Sequence, residues 1–202
     1  MPRTSRYDRQ TALDKAVLLF WERGYFATSM KQIEEALDMR PGSLYATFGS
    51  KSGLFGEALD EYSRQMGEEL AGHLARQSSR IAGLKSYLRA VTQSCLEPGR
   101  VPARACMLVK TLLEVNNQEP ALQQQVNLIL RDVEAQLAEV VQQAQEAGEL
   151  RPEVDCQRLA RLLQAQLIGL RSFAQRDVPA CHLEALTDDM LAMLEPYRAL
   201  PA

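Results

Sequence analysis

Residues Thr28 to Gly56, TSMKQIEEALDMRPGSLYATFGSKSGLFG, constrain the fold more than any other stretch of the chain. Ser29 followed three residues on by Gln32 is the S-x-x-Q pattern of a capped helix start, and Ile33 and Leu37 supply the buried side of that helix. Asp38-Met39-Arg40 leaves room only for a tight turn before Pro41, which suits the first position of the next helix because its missing N–H has no partner there. Leu44 and Phe48 bury one side of that second helix, and Gly42, Ser43, Tyr45, Ala46 and Thr47 face outward. Gly49 breaks it, and Ser50 caps a further helix that opens with Lys51 and carries Leu54, Phe55, Ala58, Leu59 and Tyr62.

The flanking sequence is helical throughout. Leu13, Ala16, Val17 and Phe20 predict a first helix over Asp8 to Arg23, ended by Gly24. Downstream, helices are expected over Ile81–Leu96, Cys106–Val115, from Glu119-Pro120 to Gly148, Leu159–Phe173 and Leu183–Tyr197, with residues 97–102 as a loop. In the longest of these, Leu122, Val126, Ile129, Val133, Leu137, Val140 and Ala144 recur at steps of four and three. The fold class is all-α, with no strand and no repeat.

Composition removes several alternatives. The 202 residues are 46% apolar and 24% charged, as in ordinary globular proteins. No run of about 18 apolar residues exists to cross a membrane. The polar, basic start MPRTSRYDRQ has no apolar block behind it, so a cytoplasmic protein without a membrane partner is expected, with Arg3 and Arg6 in a solvated arm. The four cysteines (Cys95, Cys106, Cys156, Cys181) are widely spaced and only His73 and His182 join them, which allows no metal site and implies no cofactor. A helical-bundle enzyme needs paired carboxylates, a Glu-x-x-His or a nucleophile beside a base, and none is visible, so no enzymatic activity is expected.

Charge is uneven along the chain. Residues 1–56 hold eight Lys and Arg against six Asp and Glu, while the remainder carries a net charge of −5. A positive head can approach phosphate while an acidic body stays clear of it. The two short helices across a tight turn fit this picture, because a recognition helix needs small or hydrogen-bonding side chains where its backbone meets base edges. Pro41, Gly42 and Ser43 meet that need, with the Tyr45 and Thr47 hydroxyls, the Ser29 cap and Lys51 placed to clamp phosphates.

Phe20, Glu22-Arg23-Gly24-Tyr25, Thr28-Ser29, Ile33, Leu37, Gly42-Ser43-Leu44-Tyr45, Phe48, Ser50-Lys51 and Leu54-Phe55 resemble, in order and spacing, the TetR family of bacterial transcriptional regulators. The resemblance covers residues 8–60. It implies an N-terminal three-helix DNA-binding head with a helix-turn-helix, residues 1–56, and a C-terminal helical ligand-binding and dimerisation body, residues 57–202. The base-reading positions fall on Lys31, Arg40, Pro41, Gly42, Ser43 and Tyr45, and the phosphate-contacting ones on Thr28, Ser29, Tyr45, Thr47 and Lys51. Asp38 stands where the family usually has Gly, and Asp tolerates the left-handed backbone that this turn requires. Ala46 and Thr47 stand where His is frequent.

The body offers two further expectations. Leu159, Leu163, Leu167 and Leu170, with Leu186, Met190, Met193 and Leu194, resemble the family's dimerisation helices, with Ala165 and Gly169 allowing close crossing in a homodimer. Arg104 to Lys110 resembles a segment of electrophile-sensing members, with Ala105 in place of the usual Gly. Cys106 near a helix N-terminus between Arg104 and Lys110 is a candidate reactive thiol, with a buried core residue as the plainer alternative. Tyr87, Met107, Thr111 and Phe173 are candidates to line an apolar effector pocket with it. The expected function is a ligand-responsive repressor, released from palindromic double-stranded operator DNA by an apolar or electrophilic small molecule. A non-sensing architectural DNA binder is the alternative.

Overall fold

The structure is a computed structural model and describes residues 6–97, 99, 105–116 and 118–199. The Arg3 arm, most of the expected 97–102 loop and Arg104 lie outside those residues. Among the described residues nine α-helices run in order: α1 (Arg6–Arg23), α2 (Met30–Leu37), α3 (Pro41–Phe48), α4 (Lys51–Ala75), α5 (Arg80–Leu96), α6 (Met107–Val115), α7 (Pro120–Glu146), α8 (Cys156–Ala174) and α9 (Ala180–Ala192). The only extended pairing described is an isolated antiparallel bridge between Leu150 and Arg198.

The helix boundaries follow the local chemistry. Ser29 and Gln32 form the reciprocal capping box at α2, and Asp38 closes the helix with φ 53° and ψ 45°, in the left-handed region. Pro41 occupies the first turn of α3. The last predicted helix, expected to reach Tyr197, ends instead at Ala192 and continues as a short 3-10 turn over Glu195–Tyr197. Pro196 explains the break, because it brings no N–H to the α-helical ladder. The connecting helix α4 runs on to Ala75, well past the apolar positions that mark its start.

The described residues divide into two compact units. The first comprises the chain to Gln65 together with Cys106–Ile129. Its core is aromatic: the Phe20 and Phe55 rings meet edge to face at 4.7 Å, Tyr25 packs on Phe55 at 4.9 Å, and Trp21 meets Tyr62 at 5.0 Å. Ile33, Leu44 and Leu54 are fully buried beside them. Such ring pairs add about 0.5–1.5 kcal/mol each beyond their area.

The second unit comprises Met66–Ala105 and the chain from Leu130 onward. Its core joins Leu70, Ile81, Leu84, Leu88 and Val91 to Leu137, Val141 and Ala144 and to the inner faces of α8 and α9. Leu159, Leu163, Leu170, Met190 and Leu194 are each at most 5% exposed in the single chain. They are therefore intrachain core and not the dimer surface that the sequence suggests. Leu167 and Leu186 are half-buried against the same core, and only Met193 of that set is exposed. A helix packed on its own chain uses its most apolar stripe there, and leaves the mixed stripe outside.

Candidate DNA interface and sensor helix

In the first unit α3 turns Pro41, Gly42, Ser43 and Tyr45 to solvent, and Arg40 before it is exposed. Tyr45 is half exposed, at 50%. Lys31 of α2 is exposed, its ammonium 3.9 Å from a Glu35 carboxylate oxygen. Thr47 is half-buried, and its hydroxyl donates to the Ser43 carbonyl at 2.8 Å. Ser29 is exposed at the start of α2. The sequence-derived residues so far named are thus exposed or half-buried in the first unit, and Thr28 is an exception. Thr28 is fully buried and its hydroxyl donates to the Gly24 carbonyl at 2.6 Å, so that side chain fixes the α1–α2 connection instead of facing a phosphate.

Lys51, half-buried at the start of α4, stands beside an aromatic ring. Its ammonium lies 4.4 Å from the centroid of the Tyr25 ring, a cation–π contact, and burial lowers its pKa against the opposing pull of Glu114 and Glu119. The Tyr25 hydroxyl donates to Glu119 Oε1 at 3.1 Å, and burial with that contact raises its pKa.

The same neighbourhood contains a grip that sequence inspection missed. Glu114 of α6 accepts from the backbone N–H of Tyr25 at 2.9 Å and from that of Phe26 at 2.6 Å. One turn earlier, Lys110 donates to the carbonyls of Trp21 at 2.5 Å and Glu22 at 3.1 Å, at the C-terminal end of α1. A cation on the last carbonyls of a helix and a carboxylate on the free amides beyond it are both favourable. Gly24 sits between them with φ +87°, and a Cβ there would meet a Glu114 carboxylate oxygen at 2.6 Å. No sequence signal points to Glu114, which lies some ninety positions from its partners.

Cys106 is the N-cap of α6, 5% exposed, with the Tyr62 hydroxyl 3.8 Å from its sulfur. Of the two cations expected to activate it, Arg104 is outside the described residues and Lys110 is engaged on α1. The residues expected to line an effector pocket belong to both units. Met107 and Thr111 are core residues of the first unit, the Thr111 hydroxyl donating to the Met107 carbonyl. Tyr87 and Phe173 belong to the second unit, where the Arg176 guanidinium stacks on the Phe173 ring at 4.7 Å. There Tyr87, with Met66, Leu70, Val133, Leu137 and Leu167, lines an apolar cavity of about 30 Å³. Cys95 is buried, Cys156 half-buried and Cys181 exposed, all as free thiols. Among the described residues no group of three or more His, Cys, Asp or Glu is placed to hold a metal ion, and no helix is long and apolar enough to cross a membrane.

Comparison with known proteins agrees with this architecture at both ends of the chain. Residues 12–58 match the model of bacterial regulatory proteins of the tetR family, and residues 84–177 match the tetracyclin repressor-like C-terminal domain. The transcriptional repressor ComR of Escherichia coli K12 is 30% identical over 165 residues, 81% of this chain and 78% of its own length. The chain belongs to the TetR family. Among solved structures, the regulator CifR, as a cysteine mutant bound to a 26-base-pair operator duplex, superposes with a TM-score of 0.83 at 31% identity, covering 95% of this chain and 98% of its own. A TetR regulator from Chloroflexus aurantiacus gives a TM-score of 0.83 at 26% identity, covering 97% and 98%. This TetR-family protein is a DNA-binding transcriptional regulator, and its helix-turn-helix is α2 and α3.

Proposed function

We propose that the regulator is a cytoplasmic, non-enzymatic repressor that binds a palindromic operator as a homodimer and lets go when its sensor helix is disturbed. Residues 1–56 serve as the DNA-reading head and 57–202 as the effector and dimerisation body. Lys31, Arg40, Pro41, Gly42, Ser43 and Tyr45 read bases, and Ser29, Tyr45, Thr47 and Lys51 hold phosphates. The operator-bound CifR, alike over nearly the whole chain, supports this assignment.

For the dimer, the reading rests on the outer stripe of the last two helices. Arg161, Ala165, Gly169 and Ser172 on α8, Ala185, Asp189 and Ala192 on α9, and Met193 just past it are exposed in the single chain, and Ile168 is half-buried. Small residues there let two pairs of helices cross closely about a two-fold axis.

One observation carries the release mechanism. The helix whose N-cap residue is Cys106 also holds the entrance to the helix-turn-helix, through Lys110 on α1 and Glu114 on the Tyr25 and Phe26 amides. An adduct on Cys106 cannot fit beside Tyr62 without moving the first turn of α6, and one turn on stands Lys110. A noncovalent apolar ligand enlarging the cavity around Tyr87 would act instead through α4 and α7, each of which is one continuous helix shared by both units.

The test is operator binding by the purified protein, on DNA from just upstream of its own gene, before and after N-ethylmaleimide. Release on alkylation that vanishes in Cys106→Ser establishes the thiol switch. Release that persists in Cys106→Ser eliminates it, and binding indifferent to the reagent leaves an apolar noncovalent effector as the signal.

A further inference from the structure

The first helix makes a groove with the helix-turn-helix that the family resemblance does not assign. It has a volume of about 470 Å³ and is lined by Thr11 and Lys15 of α1 and by Arg40, Ser43 and Thr47, among others. We infer that this groove receives the sugar-phosphate backbone of the operator duplex, and that Lys15 is a phosphate contact outside the helix-turn-helix.

Arg40, Ser43 and Thr47, which line the groove with Lys15, are among the residues proposed above to meet DNA, so a strand passing them runs along the mouth of the groove. Lys15 is exposed, and neither it nor Arg40 has an ion-pair partner among the described residues. Arg9, at the same groove, is already neutralised: it pairs with Glu57 at 2.5 Å and stacks over the Phe48 ring at 5.2 Å. Asp38 is the one carboxylate among the lining residues, and Lys15 with Arg40 outweighs it. An unpaired ammonium in a basic, hydroxyl-lined groove meets the requirement for backbone contact, which is charge and hydrogen-bond donors without base selectivity.

The inference rests on the DNA-reading function, and the experiment separates the two. Dissociation constants of the full-length protein are measured against salt, on duplexes from upstream of its own gene and on a scrambled duplex, for wild type, Lys15→Gln, Lys15→Arg and Arg89→Gln. Arg89 is an exposed cation of α5 and controls for net charge. Lys15→Gln should weaken both duplexes alike by about three- to tenfold near physiological salt and lower the log–log salt slope by about 0.9. Lys15→Arg should restore both quantities and Arg89→Gln should change neither. An unchanged slope in Lys15→Gln overturns the contact, as does an equal drop in Arg89→Gln. Failure of wild type to prefer any natural duplex over the scrambled one would count against operator reading, while the slope on scrambled DNA still decides the role of Lys15.

Discussion

Glu114 is the residue on which the first unit turns. Its two carboxylate oxygens satisfy two amides that no helix bond can reach, at 2.9 and 2.6 Å, and its approach requires the bare Cα of Gly24. Charge-assisted hydrogen bonds of this kind are the stronger class in proteins. Glu114→Ala should destabilise the protein by about 1–3 kcal/mol. Because the amides lie in the segment leading to Thr28 and Ser29, it should also weaken operator binding. Thermal denaturation and gel-shift titration of the same variant check both. Stability lost with operator affinity intact would make Glu114 a purely structural residue. Gly53 illustrates the same dependence on shape: a Cβ there would stand 2.4 Å from the Phe48 carbonyl oxygen, so the α3–α4 turn admits no side chain.

Among the elements, α5 shows how a helix end can depend on a distant carboxylate. Ser79 caps it through its hydroxyl, which accepts from the Ala82 N–H at 3.1 Å and donates to Glu149. Glu149 also accepts from the Arg80 and Ile81 amides at 2.7 and 3.0 Å. Burial works to raise the Glu149 pKa, but the bonds from Ser79, Ile81 and Arg80 outweigh it and hold the carboxyl below its ordinary value. A depressed carboxylate stabilises the fold above its unfolded pKa, about 4.3, and loses that contribution as pH falls through its folded value. Glu149→Gln should therefore cost about 1 kcal/mol at pH 7. The gap from wild type should narrow steadily as pH is lowered below about 4.3. Denaturation curves at neutral and acid pH measure it, and a gap independent of pH would mean that the charge plays no part.

For the whole molecule the decisive question is which face meets a second copy. The apolar stripe of α8 and α9 is already committed to the chain's own core, and the proposed interface is the outer stripe of Ala165, Ile168, Gly169, Ala185 and Ala192. Ile168→Asp adds a charge there without touching that core. It should yield a folded monomer by light scattering, with operator affinity reduced by about a hundredfold, since two linked heads bind far better than one. A variant that remains dimeric with full affinity would move the interface elsewhere.

The pattern of apolar spacing, caps, glycines and prolines was enough by itself to mark most of the helices and the outward residues of α3. Each of those signals acts within a turn or two of the chain: the Ser29–Gln32 box, Pro41 at a helix start, Asp38 in a left-handed turn. Residue roles that depend on partners distant in sequence were decided only by tertiary structure. Thr28 turned inward to Gly24, Lys51 settled on Tyr25, Lys110 went to the end of α1 instead of to Cys106, and the leucines of α8 packed on their own chain. A helix-forming tendency is a local free energy, whereas the partner of a charged or apolar side chain depends on which distant segments the packing brings within a few ångströms.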